Sequence, residues 1–531
     1  MASRFSLLIG AFAVAFGLLA FHMYDLQVKQ GGFYLARAES EAIAAQGVNG
    51  ARGAIAFTDK NGTLLPVAVE KEYPIVYAVP ASIADPQLAA EKAAPILGMS
   101  PASLAAIFSR PHDQYELLVR KADPSVAQAI TDLNMKGLYA DYLPSRYYPL
   151  GKTASQVIGY VGPNAANGGE SGHYGIEEYY NSTLAQGTEV DLTIDPNVQI
   201  EAEKILDNLI KANNATGGDV LVEDPMTGKI LAMGAYPDFD PNDYGKFSVK
   251  DFVNPTMQGV YEPGSIVKVL TMSAGINSGK IMPNETYDDK GYVNVDGAHI
   301  TNYNLLTHGP YGPGTTMTEI IEHSINTGAI FLENQMGNAI FTEYMKAFGL
   351  GMKTGIDLPG EIAGDLRQLN PSSPQVDFDT AAYGQGIAMT PVELVAAVGA
   401  IATGGVLMRP YLDASMKPQE IRRVISTTTA AAVTKMMVSA VDLAGVASIK
   451  GYALAGKTGS AYIPNLKTGG YENELSDSYI GFGPASNPRF IAFIRLDGLS
   501  VNSLAAESVV PAFRELSQYI INYYNIPPDR P

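Results

Sequence analysis

Two pairs of strand-forming segments, far apart in a chain of 531 residues, constrain the fold most. Residues 219–223 and 229–234 are apolar runs around Pro225-Met226-Thr227-Gly228, a hairpin signal. Residues 479–482 and 490–496 form a second pair, joined through Asn487-Pro488. Asp195-Pro196 places an N-cap before a first-turn proline, which predicts a helix to about residue 212. A further helix is predicted over residues 505–524, and several helical stretches lie between the hairpins. Strands from both ends with helices inserted between them predict an α+β domain, residues 191–531, with one central antiparallel sheet flanked by helices.

Residues 5–21 carry no charge and are almost all apolar. At ~1.5 Å per residue that run reaches the short end of a membrane-spanning helix. Arg4 precedes it and Asp25 follows, which favours a cytoplasmic N-terminus. No small-x-small cleavage site is evident, so an uncleaved single-pass anchor in the cytoplasmic membrane, residues 1–24, is expected rather than a signal peptide. The rest of the chain is then extracytoplasmic. Residues 25–48 read as a helix leaving the membrane. Beyond them extended stretches such as 75–79 alternate with Ala-rich helical ones such as 88–97, and residues 162–175 read as a loop. Residues 25–190 hold no catalytic constellation and read as an elongated, mixed pedestal domain.

Composition narrows the function. With 46% hydrophobic and 17% charged residues the chain is globular. It carries 36 basic against 54 acidic residues, net −18, which gives no footing for nucleic acid. The absence of cysteine excludes thiol catalysis, thiolate-bound zinc and disulfides.

The chemistry lies in the second domain. Ser265-Ile266-Val267-Lys268 follows Pro263-Gly264 and opens an apolar run to Ile276. Ser265 therefore sits at a helix N-terminus, with Lys268 one turn on and on the same face. A serine hydroxyl needs a base, and a lysine neutralised by burial can serve. Helix-terminal N–H groups suit a developing oxyanion. Ser324-Ile325-Asn326 falls within a stretch, residues 318–334, that reads as helix. Alone it is weak, since Ser500-Val501-Asn502 has the same form. Lys-Thr-Gly occurs at Lys353, Lys457 and Lys467. Lys353 reads as part of a helix-terminal loop and Lys467 as part of a polar turn. Lys457 alone lies among small, apolar residues on a predicted strand, where Gly456 and Gly459 permit close backbone approach.

In this order the three elements resemble those of the penicillin-binding transpeptidase family. Pro225-x-Thr227-Gly228-x-Ile230-Leu231-Ala232-Met233 and Gly384-Gln385-Gly386 before Thr390-Pro391 are similar to class B members. So are Arg52-Gly53, Arg146-x-x-Pro149 and Gly172-x-x-Gly175-Ile176-Glu177, which resemble the pedestal motifs. One departure is Asp59-Lys60-Asn61-Gly62, which comes two residues later than in the family and has lysine for arginine at Lys60. The resemblance implies a serine DD-peptidase/β-lactamase-like fold for the second domain. It implies acylation of Ser265 by a stem peptide, with Lys268 as base and Ser324 and Lys457 relaying protons. It implies substrate contacts at Asn326, Thr458, Gly459 and Ser460, an oxyanion hole of the Ser265 and Ser460 N–H groups, and no metal or cofactor. Arg52, Arg146 and Glu177 are expected to meet in the pedestal.

The resemblance also implies partners: peptidoglycan stem peptides, β-lactams, and, since no glycosyltransferase domain is recognised, a SEDS-family glycosyltransferase with other division or elongation membrane proteins. The regions around Ala232-Met233 and Asn302-Tyr303 are closer to the division branch. Other readings of the same motifs are a β-lactamase, with Glu361 as the deacylating base, a β-lactam receptor, a DD-carboxypeptidase and a non-catalytic scaffold. The intact Ser265/Lys268 pair counts against the last. The receptor should have several membrane spans, and only one is evident.

Overall fold

The computed structural model describes residues 2–24, 52–164, 169–465 and 469–531. The helix expected over residues 25–48 lies outside the described residues. A helix covers Ala2–Tyr24. Among the described residues, no helix is long and apolar enough to cross a membrane.

The remainder forms two compact units, and the chain passes between them more than once. The first takes in residues 66–150 and 182–189; the second takes in residues 56–65, 151–181 and 190–531. In the first, the strand Leu64–Ala78 pairs antiparallel with Leu138–Tyr147, from Val69 opposite Tyr147 to Ala78 opposite Leu138. Glu116–Val119 pairs along the same strand. Helices Pro86–Leu97, Pro101–Phe108 and Pro124–Asp132 each open on a proline, which lacks the N–H that a first turn leaves unpaired. Asp85 caps the first by accepting from Leu88 N at 3.0 Å. Their small faces, Ala89, Ala90 and Ala93, close on Val76, Leu104, Phe108 and Ile130. The strand and helix expected near residues 75–79 and 88–97 are both present.

The second unit contains the five-stranded antiparallel sheet, in the order Ala455–Pro464, Tyr471–Gly483, Phe490–Ser500, Gly217–Asp224, Lys229–Tyr236. The two hairpins meet at its centre, with Ile494 opposite Val220. Asp224 builds the first hairpin's turn, accepting from Met226 N at 3.0 Å and Thr227 Oγ1 at 2.8 Å, while Gly228 takes φ 83°. Helices Pro196–Asn213 and Val509–Tyr523 cover one face through Val198, Ile205, Phe513 and Leu516 against Val220, Val222 and Ile494. The alternating residues Leu221 and Phe493 are also fully buried, so the other face is covered as well; Pro391–Ala402 packs against these strands.

Two local expectations differ from the structure. Within residues 162–175 a short hairpin forms, Tyr160–Pro163 with Glu170–His173, where Gly-rich composition pointed to a loop. The stretch 318–334 is two helices, Met317–Glu322 and Asn326–Met336. The departure at Lys60 lies in a well-defined turn. Asp59 closes a tight turn by accepting from Asn61 N and Thr63 N, both at 2.8 Å. Lys60 then donates to the Tyr523 carbonyl at the end of the last helix and lies 4.3 Å from the centre of its ring.

Candidate active site

Ser265 lies in a single 3-10 turn, Gly264–Ile266, which runs directly into the helix Val267–Asn277. Gly264 has φ 57°, and a Cβ there would sit 2.5 Å from the Ser460 carbonyl oxygen. A Cβ on Gly459 would sit 2.4 Å from the Pro263 carbonyl. Both positions require glycine, because two backbones press together there. That approach sets the Ser265 turn against the edge strand Ala455–Pro464.

Ser324 occupies the break between the two helices, with φ 54°. Left-handed backbone at a serine is uncommon and costs on the order of 1 kcal/mol, so the surrounding structure must hold it. The turn aims the Ser324 hydroxyl at two lysines. Lys268 Nζ lies 3.2 Å from Ser324 Oγ, 2.5 Å from the Ser324 carbonyl and 2.7 Å from Asn326 Oδ1. Lys457 Nζ lies 2.9 Å from the same Ser324 Oγ, with Thr458 O at 3.2 Å and Thr458 Oγ1 at 3.3 Å.

Both ammonium groups are costly here. Lys268 is fully buried. Burial, and after it the charge on Lys457, pull its pKa well below the ordinary lysine value. Burial lowers Lys457 to about 7. The site thus contains two amines that readily give up a proton, joined through one hydroxyl.

Thr458 and Ser460 follow Lys457 on the edge strand, and Ser460 is exposed. The Ser460 hydroxyl donates to Asp477 Oδ1 at 2.6 Å. Asp477 is fully buried and also accepts from Ser503 at 2.7 Å and Ser508 at 3.1 Å. Asp477 was not legible beforehand, because the strand Tyr471–Gly483 extends through polar residues where no alternation marks it. The Asn326 carboxamide accepts from Lys268 and donates to the Thr301 carbonyl at 3.0 Å.

The other Lys-Thr-Gly copies are elsewhere. Lys353 is exposed in a loop. Glu361 holds that loop by accepting from Thr354 N and Thr354 Oγ1, both at 2.6 Å, and from Gly355 N at 3.0 Å. Its carboxylate is committed there. Lys467 lies outside the described residues. Among the described residues no cluster of acids and histidines is placed to hold a metal ion.

Of the pedestal residues, Arg146 is 4% exposed, pairs with Glu70 on the neighbouring strand at 3.8 Å and reaches the Arg52 carbonyl at 3.5 Å. Glu177 is fully buried in the short helix Gly175–Tyr179. A Cβ on Gly172 would collide with its carbonyl at 1.8 Å, which accounts for the glycine.

Comparison with known proteins points to one family. Residues 218–518 match the penicillin-binding protein transpeptidase domain, and residues 48–218 the penicillin-binding protein dimerisation domain. Stage V sporulation protein D of Bacillus subtilis is 31% identical over 486 residues, covering 83% of this chain and 73% of that protein. Peptidoglycan D,D-transpeptidase FtsI of Escherichia coli is 26% identical over 565 residues, covering 99% of this chain and 92% of that protein. Crystalline penicillin-binding protein 3 of Mycobacterium tuberculosis in its apo form has a TM-score of 0.66 at 28% identity, over 73% of this chain and 92% of that one. The chain belongs to the penicillin-binding protein transpeptidase family, as a class B, division-type peptidoglycan D,D-transpeptidase.

Proposed function

We propose that Ser265 is the acylated nucleophile of this transpeptidase. The observation that carries the reading is the pair of buried lysines converging on Ser324, with Lys268 one helical turn from Ser265. Lys268 takes the Ser265 proton as Oγ bonds to the D-Ala–D-Ala carbonyl carbon of a donor stem peptide. The oxyanion lies on the N–H groups of Ser265 and Ser460, whose backbones Gly264 and Gly459 draw together. The tetrahedral adduct collapses by breaking the C–N bond. The departing D-Ala amine takes a proton delivered through Ser324 and Lys457. Thr458 keeps a hydroxyl proton for the substrate carboxylate, whereas Ser460 must first leave Asp477. An acceptor amine then attacks the ester, forms the cross-link and returns the proton to Ser265.

The same reading places the chain on the outer side of the cytoplasmic membrane, anchored by the helix Ala2–Tyr24, whose Phe12, Phe16 and Leu18 face away from protein. A SEDS-family glycosyltransferase is its proposed membrane partner. Arg52, Arg146 and Glu177 are proposed to brace the pedestal, with no chemical role. The test is labelling of the full-length chain with a fluorescent penicillin. One adduct is expected, on Ser265, formed at the wild-type rate in a Glu177→Ala chain. An adduct elsewhere, or a folded Glu177→Ala chain that fails to acylate, overturns these assignments.

A further inference from the structure

We propose that Asp289 is a positioning residue that fixes which way the Asn326 carboxamide points, and so keeps the lone pair of Lys268 open to Ser265. The inference rests on the reading of Lys268 as the base for Ser265.

Asp289 is 1% exposed and lies at the end of the short strand Thr286–Asp289. Its carboxylate accepts from Thr327 Oγ1 at 2.5 Å, Tyr311 N at 2.9 Å, Gly291 N at 3.1 Å and Tyr287 OH at 3.3 Å. It also takes Asn302 Nδ2 on both oxygens, at 3.2 and 3.1 Å. Burial alone would raise its pKa, but the hydrogen bonds from Thr327, Tyr311, Gly291 and Asn302 together hold it below the ordinary aspartate value. It is therefore ionised at neutral pH and can only accept.

That one-way character passes along a chain of amides. Asn302, 2% exposed, must turn Nδ2 to Asp289, which leaves Oδ1 to accept from Thr327 N at 3.1 Å. Thr327 N is one of the unpaired first-turn donors of the helix Asn326–Met336. With Asn302 seated there, the preceding residue presents its carbonyl, Thr301 O, to Asn326 Nδ2 at 3.0 Å. Asn326 must then offer Oδ1 to Lys268 at 2.7 Å. A neutral Lys268 has two N–H donors and one lone pair. Ser324 O and Asn326 Oδ1 take the donors and leave the lone pair to a hydroxyl: that of Ser324, 3.2 Å away, until Ser265 presents its proton. A flipped Asn326 would point Nδ2 at the amine, oppose its N–H groups and occupy that lone pair.

Replacing Asp289 with Asn supplies a donor where Asn302 expects an acceptor, with almost no change of shape. Acylation of the full-length chain by a fluorescent penicillin is measured for wild type, Asp289→Asn, Asn326→Ala and the double variant. Asp289→Asn is expected to lower the limiting rate by about 10- to 100-fold, with the half-saturating concentration unchanged. In the Asn326→Ala background the same change should have no further effect, since nothing remains to be oriented. Should Asp289→Asn alone not fold, the swapped pair Asp289→Asn with Asn302→Asp carries the test. It again offers Thr327 N an acceptor and should acylate within a few-fold of wild type. A rate within two-fold of wild type for Asp289→Asn, an equal loss in both backgrounds, or a folded swapped pair at least ten-fold slower overturns the proposal. An adduct away from Ser265 in the wild type overturns the nucleophile assignment instead, and this proposal with it.

Discussion

A Lys268→Met chain is expected to acylate about 10²- to 10⁴-fold more slowly than wild type, the span a general base contributes. Methionine keeps the length and apolar stem of lysine and removes only the amine. Lys268 is fully buried, and its three hydrogen bonds tie it to the second motif. The substitution has a second signature. A lysine whose folded pKa is lowered binds fewer protons in the native state than in the unfolded one, between the folded and unfolded pKa values. Stability therefore rises with pH through that window. The window closes near 10.5 for both lysines and opens near 7 for Lys457. Wild-type stability should climb from neutral pH toward pH 10, by up to about 1.4 kcal/mol per pH unit for each such group. Lys268→Met should lose its share of that climb. Melting curves at pH 7 and pH 9.5, with acylation rates, check both points. A variant that acylates within ten-fold of wild type has another base; an unchanged pH slope means that burial does not neutralise Lys268.

Lys457→Ala is expected to reduce acylation by at least about 10²-fold, while Lys353→Ala stays within about three-fold. The sequence is the same at the two positions, and the environments are opposite. Lys457 is 4% exposed and donates to the Ser324 hydroxyl at 2.9 Å. Lys353 is solvated, in a loop that Glu361 braces through Thr354 and Gly355. Losing Lys457 also removes the positive charge that helps lower the Lys268 pKa, so the pH dependence of the residual acylation should shift as well. Penicillin labelling of the two variants side by side is the measurement. Equal rates for both would assign the third motif to the wrong strand.

The sheet was legible because its strands follow the simplest rules. Val220 to Val222 and Phe490 to Ile494 are apolar runs, and the order of the hairpins in the chain left few ways to join them. The helix start at Ser265 was legible for a similar reason, since Pro263-Gly264-Ser265 and the apolar run after it announce one. The break at Ser324 was not. The stretch around it reads as one continuous helix, and the left-handed φ of 54° belongs to the turn between two helices, where both lysines reach Ser324. Asp289 was hidden in Asp288-Asp289-Lys290, which reads as solvated charge. Only long-range pairing with Asn302 and Thr327 shows it to be buried. Asp477 lies in a strand that runs on through polar residues, so neither its burial nor its hold on Ser460 follows from local pattern. Lys60 shows the same limit, since its partner Tyr523 is at the far end of the chain.

The central claim is that this chain transfers an acyl group from Ser265 to an amine. Its most direct test is bulk turnover of a stem pentapeptide donor with an amino-terminated acceptor, by the full-length chain and by Ser265→Ala. The account predicts release of D-Ala together with a cross-linked peptide from the wild type, and neither from the variant. Release of D-Ala with water as the only acceptor would make it a carboxypeptidase, rapid hydrolysis of penicillin would make it a lactamase, and cross-linking by Ser265→Ala would contradict the account outright.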